Sequence, residues 1–298
     1  MAAPQQTTFD DRDGWIWFDG EMVPWRDARV HVLTHALHYA SSVFEGQRAY
    51  NGEIFKLNAH SERLRRSSSL LGFELPWSVE EINAACKEVL KVNGFTDAYM
   101  RPLAWRGSES MGVAPGLTKP HVAITAWEWG KYYEERKSAD GIRLDIAPWR
   151  RPAPYTAPTE SKASGLYMIC TLSKQHAESR GYDDALMFDW RGRVAEATGA
   201  NVFFVRDGEL HTPTPDCFLD GITRRTVMDL ARNRGVDVVE RAIWPEELET
   251  FEQMFLTGTA VEVTPVRSAG PWNFEVGDLT RQLMKDYEDV VHGRIPNA

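Results

Sequence analysis

Three two-residue turns constrain the fold of this chain more than any other feature of its sequence. They are Asp19-Gly20, Asn51-Gly52 and Asp207-Gly208. Asp-Gly and Asn-Gly pairs favour a turn whose twist matches that of paired antiparallel strands. The strand pairs they predict are Trp15–Phe18 with Glu21–Trp25, Phe44–Tyr50 with Glu53–Lys56, and Asn201–Arg206 with Glu209–Thr212. We therefore expect antiparallel sheet rather than a doubly wound parallel one.

Helical patterns separate these strand pairs. Asn58 and Gly72 bound one predicted helix, with Asn58 as its N-cap. Ser78 and Glu81 form a capping box that opens a second helix, which runs to Val92. Further helices are predicted between Tyr167 and Gly181 and over 221–234, 245–251 and 279–291.

One predicted strand contains a proline. The strand covers Ala98–Trp105, and Pro102 lies inside it. Because proline cannot donate a hydrogen bond to a neighbouring strand, Pro102 predicts an interruption of the strand or a position at the sheet edge. Other single strands are predicted over 121–127, 142–147, 254–257 and 261–267.

The length of 298 residues suits two domains, and a charged, tyrosine-bearing segment marks where they would join. We expect a small N-terminal α/β domain over residues 1–126, a connector over 127–138 and a large domain over 139–298. The predicted fold class is α+β, with two domains of largely antiparallel or mixed sheets flanked by helices.

Composition narrows the classes of partner. The net charge is −9 and the sequence contains no polybasic run, which argues against nucleic acid or an anionic membrane as a partner. No apolar stretch approaches the roughly 20 residues that span a bilayer. The cysteines, Cys86, Cys170 and Cys217, are odd in number and form no CxxC pair, so neither a disulfide framework nor a zinc site is expected. Since the N-terminus also lacks the pattern of a signal peptide, we expect a cytoplasmic protein.

Lys162 is the first candidate catalytic residue. It stands at the mouth of a predicted helix, after a proline-rich loop and before Ala163, Ser164 and Gly165. Small residues there would let a bulky group reach the amine, and a desolvated lysine can form a Schiff base with a carbonyl cofactor. Taken alone, a lysine is more often a solvated surface charge.

Glu196 is the second candidate. It ends an apolar strand and enters the turn Ala197-Thr198-Gly199. A carboxylate buried there without a cation would cost several kcal/mol. An arginine would satisfy it, and so would the protonated ring nitrogen of pyridoxal phosphate.

These two segments carry a family resemblance. Lys162-Ala-Ser-Gly-Leu-Tyr167, followed by Val194-Ala-Glu196-Ala-Thr-Gly-Ala-Asn201, resembles the centre of the fold-type-IV, pyridoxal-phosphate-dependent aminotransferases, and most closely their branched-chain family. The resemblance implies that Lys162 carries pyridoxal 5'-phosphate, that Glu196 faces its ring nitrogen and that Tyr167 bonds its phenolic oxygen. It also implies that Arg63 binds the phosphate and that the large domain holds the cofactor.

Two glycine-containing segments are candidates for the phosphate. Gly221-Ile222-Thr223 opens a helix, where backbone N–H groups and the helix dipole favour an anion. Gly258-Thr259, between two strands, could supply a second set of amides with a hydroxyl. The resemblance places both around the phosphate and adds three cofactor-binding residues, namely Thr198, Gly199 and Leu219.

Two strands are candidates for the substrate pocket. Phe44, Gly46 and Arg48 share one strand face, as do Tyr99 and Arg101 on another strand. An arginine pointing inward beside aromatic residues needs an anion or an acceptor, and a structural ion pair is the alternative to a substrate. Both segments resemble the EGxR and YxRP texts of the branched-chain enzymes.

The resemblance assigns roles in this pocket. It implies an apolar wall of Tyr39, Phe44, Gly46 and Tyr99. It also implies that Arg101 meets the distal carboxylate of glutamate together with Tyr39 and Tyr132. The amides of Thr259 and Ala260 would take the α-carboxylate, and Arg48 would support the pocket.

A dimer is implied by the loop Met111-Gly-Val113, which resembles one that closes over the neighbouring subunit's site. Val113 and Tyr39 would then act in trans, in a homodimer or a higher homo-oligomer. The chain departs from the family pattern at Ala200, at Ala197-Thr198 and at Asp220, which stands where proline is common. These departures leave the exact substrate range open.

The implied reaction is transamination of leucine, isoleucine and valine with 2-oxoglutarate, which gives branched-chain 2-oxo acids and L-glutamate. A D-amino-acid aminotransferase, an (R)-selective amine transaminase and an aminodeoxychorismate lyase are alternatives of the same fold. A non-catalytic α+β binding protein is the alternative from another class. The pairs Tyr99/Arg101 and Phe44/Arg48 favour the branched-chain, L-specific reading.

Overall fold

The computed structural model describes residues 8–130, 132–133 and 139–296, which divide into two compact units. The first unit comprises 8–129 and Lys162–Gly165, and the second comprises the other described residues. The α+β prediction is confirmed. The connector predicted over 127–138 lies partly outside the described residues, so that boundary stays a prediction. The segment Lys162–Gly165, expected in the second domain, groups with the first unit instead.

The first unit is built on one antiparallel sheet. Its strands are β1 (Trp15–Phe18), β2 (Glu21–Pro24), β3 (Ser42–Phe44), β4 (Gln47–Tyr50), β5 (Glu53–Ile54), β6 (Ala98–Arg106) and β7 (Pro120–Trp127). Its helices are α1 (His35–Tyr39), α2 (Leu57–Leu70) and α3 (Val79–Val92), with a 3-10 turn at Trp25–Asp27. The strand order is β2-β1-β7-β6-β4-β5, and β3 pairs with β6 in line with β4.

The second unit is built on a nine-stranded sheet. Its strands are β8 (Ile142–Ile146), β9 (Asp184–Phe188), β10 (Val194–Ala197), β11 (Asn201–Arg206), β12 (Glu209–Pro213), β13 (Val238–Arg241), β14 (Gln253–Gly258), β15 (Glu262–Ala269) and β16 (Trp272–Asn273). Its helices include α4 (Met168–Ser179), α5 (Ile222–Asn233) and α6 (Asp278–Val291), with a 3-10 helix at Pro245–Thr250. A 3-10 turn at Ser164–Tyr167 leads into α4.

The sheet of the second unit closes on itself. Its order is β10-β9-β8-β15-β14-β11-β12-β13, and β10 also pairs with β11. Strands β8 to β11, β14 and β15 therefore form a ring. The pairs β8–β9, β8–β15 and β12–β13 are parallel, whereas the other pairs are antiparallel. Ring closure places the ends of β10, β11 and β14 side by side, because Glu196 pairs with Asn201 and Asn201 pairs with Thr257.

The predicted hairpin turns are confirmed. Both residues of all three turns, Asp19-Gly20, Asn51-Gly52 and Asp207-Gly208, have positive φ, as a type I′ turn requires. The capping box is also present: Ser78 Oγ accepts from the Glu81 amide (3.2 Å), and the Glu81 carboxylate accepts from the Ser78 amide (2.7 Å). Within the described part of the chain, no helix is both long enough and apolar enough to cross a membrane.

The predicted N-cap of α2 is wrong. The helix begins at Leu57, and its N-cap is Lys56, which adopts a left-handed conformation with φ of 49°. That sharp turn after β5 fixes the start of the helix before Asn58 is reached. Asn58 therefore lies in the first turn, where its side-chain Nδ2 donates to Glu62 Oε1 (2.7 Å). Gly72, with φ of 75°, follows the helix as predicted.

The prediction for Pro102 is also wrong, since β6 runs through it without a break and has neighbours on both sides. The interruption falls on the adjacent strand instead. The single strand predicted over Phe44–Tyr50 is split into β3 and β4 at Glu45 and Gly46, opposite Pro102. Pro102 has no N–H to offer there, and its carbonyl accepts from the Glu45 amide (2.8 Å).

Candidate active site

Lys162 is tied to the first unit by its backbone. Its amide donates to Ser67 Oγ on α2 (3.0 Å), and its carbonyl accepts from the amide of Phe44 on β3 (3.1 Å). The next residue, Ala163, forms a β-bridge with Val43. The side chain is half-buried, and its Nζ lies 5.1 Å from the centroid of the Phe44 ring. The amine is thus held over an aromatic face.

Arg63, the predicted phosphate ligand, is part of a buried cluster. Its Nε and Nη2 donate to the two oxygens of Glu45 (2.7 and 2.8 Å), and His60 Nδ1 lies 2.7 Å from Glu45 Oε2. The Glu45 side chain is fully buried. Burial alone would raise the pKa of Glu45, but Arg63 and His60 hold it far below its ordinary value. Burial lowers the pKa of His60 against the opposing effect of Glu45, so the imidazole is neutral.

Arg101 and its neighbours form a compact aromatic group. The guanidinium carbon lies 4.6 Å from the Phe44 ring centroid, and Nη2 donates to Tyr99 Oη (2.8 Å). Arg101 Nε is buried and has no hydrogen-bond partner among the described residues. A Cβ on Gly46 would lie 2.3 Å from Tyr99 Oη, so glycine leaves the room that this hydroxyl occupies. The group can therefore donate to an anion.

Arg48 lies beside a group of tryptophans that sequence reasoning missed. Its Nη2 donates to the Trp129 carbonyl (3.4 Å), and the Trp129 ring packs edge-on against Tyr99 at 4.7 Å. Trp127 packs against Tyr99 from 5.1 Å. Alternation along β7 could have suggested Trp127, but Trp129 lies beyond the strand. The predicted supporting role of Arg48 stays a prediction.

Tyr39 and Val113 lie on two segments that are joined through His35. The His35 ring is 4.7 Å from the Tyr39 ring, and its Nε2 is 3.0 Å from the carbonyl of Gly112. Tyr39 is 40% exposed and Val113 is 83% exposed. An apolar side chain as exposed as that of Val113 is a candidate for contact with another molecule.

In the second unit, Glu196 sits at the end of β10 beside two neighbouring strand ends. Asn201 Nδ2 lies 3.4 Å from Glu196 Oε2 and donates to the Leu219 carbonyl (2.9 Å). The same asparagine contacts the start of α5, since a Cβ on Gly221 would lie 2.2 Å from Asn201 Oδ1. Glu196, Leu219 and Gly221 are therefore brought together around Asn201.

Arg151 is a cation beside Glu196, and sequence reasoning did not identify it. Its Nε lies 3.3 Å from Glu196 Oε1, with both side chains largely buried. Burial opposes the charge on Arg151, yet Glu196 and other neighbours raise the pKa of the guanidinium above its ordinary value. Arg151 Nη1 also donates to Cys170 Sγ (3.5 Å). The only signal in the sequence was the Arg150-Arg151-Pro152 text.

Thr198 and Tyr132 are connected through Asp184. Thr198 Oγ1 donates to Asp184 Oδ1 (2.6 Å), and Tyr133 Oη donates to Asp184 Oδ2 (3.2 Å). Lys174 Nζ lies 3.6 Å from the same carboxylate and 5.6 Å from the Tyr132 ring centroid. The described part of the connector is thus anchored to Asp184, at the start of β9, which also holds Thr198 at the end of β10.

The second unit offers backbone amides to an anion. Gly221 is the N-cap of α5 and has no side chain, so the amides of Ile222 and Thr223 lie at an uncapped helix start. Asp220 is bound to Arg224 within this turn (2.9 Å). Thr257 Oγ1, just before Gly258, is buried and has no hydrogen-bond partner among the described residues. Amides, an unsatisfied hydroxyl and the Glu196 carboxylate make a set of polar groups that fits pyridoxal phosphate.

Comparisons with known proteins agree with this chemistry. A family model described as Amino-transferase class IV matches residues 42–269. A probable branched-chain-amino-acid aminotransferase of Rickettsia felis is 42% identical over 93% of this chain and 95% of its own length. The branched-chain-amino-acid aminotransferase of Pseudomonas aeruginosa is 42% identical over 95% of both chains. A solved T.th. branched-chain amino acid aminotransferase, complexed with N-(5'-phosphopyridoxyl)-L-glutamate, is 38% identical over 96% of both chains with a TM-score of 0.91.

Proposed function

We propose, from the premise that this chain belongs to the branched-chain family of the class IV aminotransferases, that it transfers the amino group of leucine, isoleucine and valine to 2-oxoglutarate. The products are branched-chain 2-oxo acids and L-glutamate, and the cofactor is pyridoxal 5'-phosphate. One observation carries the proposal: the Lys162 amine and the Arg101 guanidinium lie against the same ring, 5.1 and 4.6 Å from the centroid of Phe44. A reactive amine and an anion-binding group thus share an apolar wall.

The residues that would hold the cofactor are those of the family pattern. Bound pyridoxal phosphate supplies a ring that withdraws electrons from the substrate Cα. Lys162 would bind its aldehyde carbon and Arg63 its phosphate. Glu196 would accept from the ring nitrogen, and Tyr167 would bond the phenolic oxygen. The phosphate would also meet the loop groups Thr198, Gly199, Leu219, Gly221, Ile222, Thr223, Gly258 and Thr259.

Lys162 also moves the proton in this proposal. Its Nζ would take the proton from the substrate Cα as a base and then deliver it, as an acid, to the C4′ carbon of the cofactor. The ring of Phe44 beside the amine excludes water from one side. Shielding from water limits exchange of the transferred proton with solvent, so the proton taken from Cα can be the one delivered to C4′.

The substrate pocket would accept two kinds of side chain. Phe44, Gly46 and Tyr99 offer apolar surface to leucine, isoleucine or valine. Arg101, bonded to Tyr99 Oη and with a buried Nε that lacks a partner in the described chain, offers a donor to the distal carboxylate of glutamate. The T.th. relative, solved with a phosphopyridoxyl-glutamate, supports this assignment. The α-carboxylate would meet the amides of Thr259 and Ala260, and Tyr132 would join Arg101.

A homodimer is part of the proposal. Val113 and Tyr39 would enter the partner's site, and their exposure supports this assignment. Exposed apolar residues accompany them on the same two segments, namely Val32, Leu37 and Leu117.

We also propose a cytoplasmic location. Cys86, Cys170 and Cys217 are buried thiols outside any disulfide, and burial raises their pKa values to about 12, 11 and 12.

The proposal is tested by Lys162→Ala with Lys285→Ala as the matched control. Lys285 is an exposed lysine paired within α6 to Asp289 (2.6 Å). Lys162→Ala should remain folded, lose the visible absorbance of bound cofactor and lose turnover of L-leucine with 2-oxoglutarate, whereas Lys285→Ala should keep all three. Turnover by Lys162→Ala at the wild-type rate would overturn the assignment. Activity on D-alanine or an aryl amine in place of L-leucine would favour the alternatives of the same fold.

A further inference from the structure

Glu45 and His60 form a buried cluster with Arg63 and take no part in the proposed reaction steps. Glu45 lies in the break between β3 and β4, fully buried, and faces α2. It receives three hydrogen bonds, two from Arg63 and one from His60. A fully buried carboxylate is costly unless such donors surround it. Since the carboxylate can only accept, His60 Nδ1 must carry the proton of the neutral imidazole.

The geometry of the arginine pair is directional. Glu45 engages Arg63 side-on, through Nε and Nη2 at 2.7 and 2.8 Å. A guanidinium is planar, so two bonds along one edge fix its plane and turn the edge with Nη1 away from the carboxylate. Because the Glu45 and Arg63 charges cancel and His60 is neutral, the cluster offers directed N–H groups with little net charge.

The same helix also holds the lysine. His60, Arg63 and Ser67 recur on one face of α2, at the spacing of successive helical turns. Ser67 accepts from the Lys162 amide, and the charge of Lys162 is among those that lower the pKa of His60. One rigid element therefore sets the separation between the reactive amine and the guanidinium.

We propose that Glu45 is a positioning residue: it presets the orientation in which Arg63 meets the phosphate of the cofactor, and His60 in turn fixes Glu45. This inference rests on the proposed function, because it assumes that Arg63 binds that phosphate. Glu45 itself does not touch the cofactor. Its contribution is to spare Arg63 the loss of side-chain freedom at the moment of binding.

The test compares two ligands that differ only in the phosphate. The full-length protein, freed of cofactor, is titrated with pyridoxal 5'-phosphate and with pyridoxal. In the wild type, the dissociation constant for pyridoxal divided by that for pyridoxal 5'-phosphate measures recognition of the phosphate. A larger ratio means stronger recognition. Glu45→Gln should reduce this ratio about tenfold, as the loss of a charge-assisted bond would, and should leave the affinity for pyridoxal unchanged. The control Glu62→Gln, on an exposed neighbour of Arg63, should leave the ratio as it is.

A double-mutant cycle separates positioning from a general loss of structure. In the Arg63→Gln background, Glu45→Gln should have no further effect on the ratio, because the side chain that it orients is gone. An equal reduction in both backgrounds would overturn the inference. So would an unchanged ratio in a folded Glu45→Gln protein.

A second pair of variants keeps the test open if Glu45→Gln does not fold. His60→Asn retains a donor near the position of Nδ1 and should preserve the ratio, whereas His60→Ala should reduce it. Equal ratios for the two folded variants would contradict the role of His60 in fixing Glu45. If the wild type binds neither ligand, the proposed function itself fails; if it discriminates between them and Glu45→Gln discriminates equally, only the inference fails.

Discussion

Two buried carboxylates, each beside an arginine, occupy the two units in different ways. In the first unit, Glu45 receives two hydrogen bonds from Arg63 at 2.7 and 2.8 Å and one from His60 at 2.7 Å. In the second unit, Glu196 lies 3.3 Å from Arg151 Nε, at ion-pair distance, and that nitrogen has no hydrogen-bond partner in the described chain. Glu45 thus receives short, two-pronged hydrogen bonds from its arginine, whereas Glu196 faces its arginine at ion-pair distance and accepts from Asn201 Nδ2 at 3.4 Å.

The difference in hydrogen bonding indicates a structural role for Glu45 and a ligand-binding role for Glu196. A carboxylate enclosed by hydrogen bonds is fixed in place and fixes its donors, so its removal should be felt as lost structure. A carboxylate beside a cation, at the end of a strand, can accept from a further group such as a ring nitrogen. Glu45 should therefore matter most for stability and Glu196 most for activity.

Glu196→Gln gives the largest expected effect. Glutamine keeps the shape but cannot hold a proton on the ring nitrogen of the cofactor, so kcat with L-leucine should fall roughly 10²-fold or more. The unfolding transition should move little. Steady-state kinetics and a urea titration would measure both, with the exposed Glu249→Gln as the control. A large loss of stability with near-normal kcat would reverse the contrast drawn between the two carboxylates.

Glu45→Ala should lower the free energy of unfolding more than the corresponding substitution of Glu196. Removing one partner of a buried pair costs about 3–5 kcal/mol, because Arg63 and His60 lose their acceptor. The free energy of unfolding, from urea titration followed by tryptophan fluorescence, should fall by this amount, and by less in Glu196→Ala. Equal losses in the two variants would show that hydrogen-bond geometry does not distinguish the sites.

Arg151→Met sharpens the comparison on the side of Glu196. Methionine fills much of the same volume but removes the charge 3.3 Å from the carboxylate. Since an opposite charge at such a distance favours ionisation of a carboxylate, kcat/KM should fall roughly tenfold, less than in Glu196→Gln. The raised pKa of Arg151 keeps it charged at every working pH, so its contribution should not vary between about pH 6 and 9. Wild-type kinetics in Arg151→Met would mean that Glu196 is kept ionised by other groups.

Features set by short stretches of sequence could be predicted. The three hairpin turns depend on two adjacent residues each, and the capping box on two residues three apart. Lys162 and Glu196 were identified because each lies in a distinctive local text. Their roles as cofactor ligands came from family resemblance and stay predictions.

Features set by distant segments could not be predicted. Arg151, which follows β8, meets Glu196 on β10 only once β9 has paired with both strands. Glu45 meets Arg63 because Pro102, on a different strand, leaves β3 and β4 unjoined at that point. The N-cap of α2 was misplaced for a similar reason, since Lys56 adopts its left-handed turn to connect β5 to the helix. In each case the deciding contact lies outside the window in which a local pattern is read.

The partly exposed ion pairs of His121 with Asp19 and Glu109 give the smallest expected effect of a substitution on stability. Their comparison with the buried carboxylates Glu45 and Glu196 shows what burial adds. His121 Nδ1 lies 2.5 Å from Asp19 Oδ2, and its Nε2 lies 3.2 Å from Glu109 Oε1, with about a quarter of each side chain exposed. Burial would lower the pKa of His121, but the two carboxylates raise it above its ordinary value of 6.5. A raised pKa contributes stability that is fully present below about pH 6.5 and is lost as pH rises through the folded-state pKa.

The contribution of Glu45 follows the opposite sign, because its pKa is lowered: it is present above the ordinary value of 4.5 and is lost only in strong acid. Between about pH 6 and 9, the destabilisation caused by Glu45→Ala should therefore be constant. The destabilisation caused by His121→Gln should be roughly 0.5–1 kcal/mol at about pH 6 and should shrink as pH rises. Urea titrations of both variants across this range measure the two slopes. If the destabilisation caused by His121→Gln did not change with pH, the imidazole would act through neutral hydrogen bonds. The difference between this partly exposed group and the buried carboxylates Glu45 and Glu196 would then not be explained by burial.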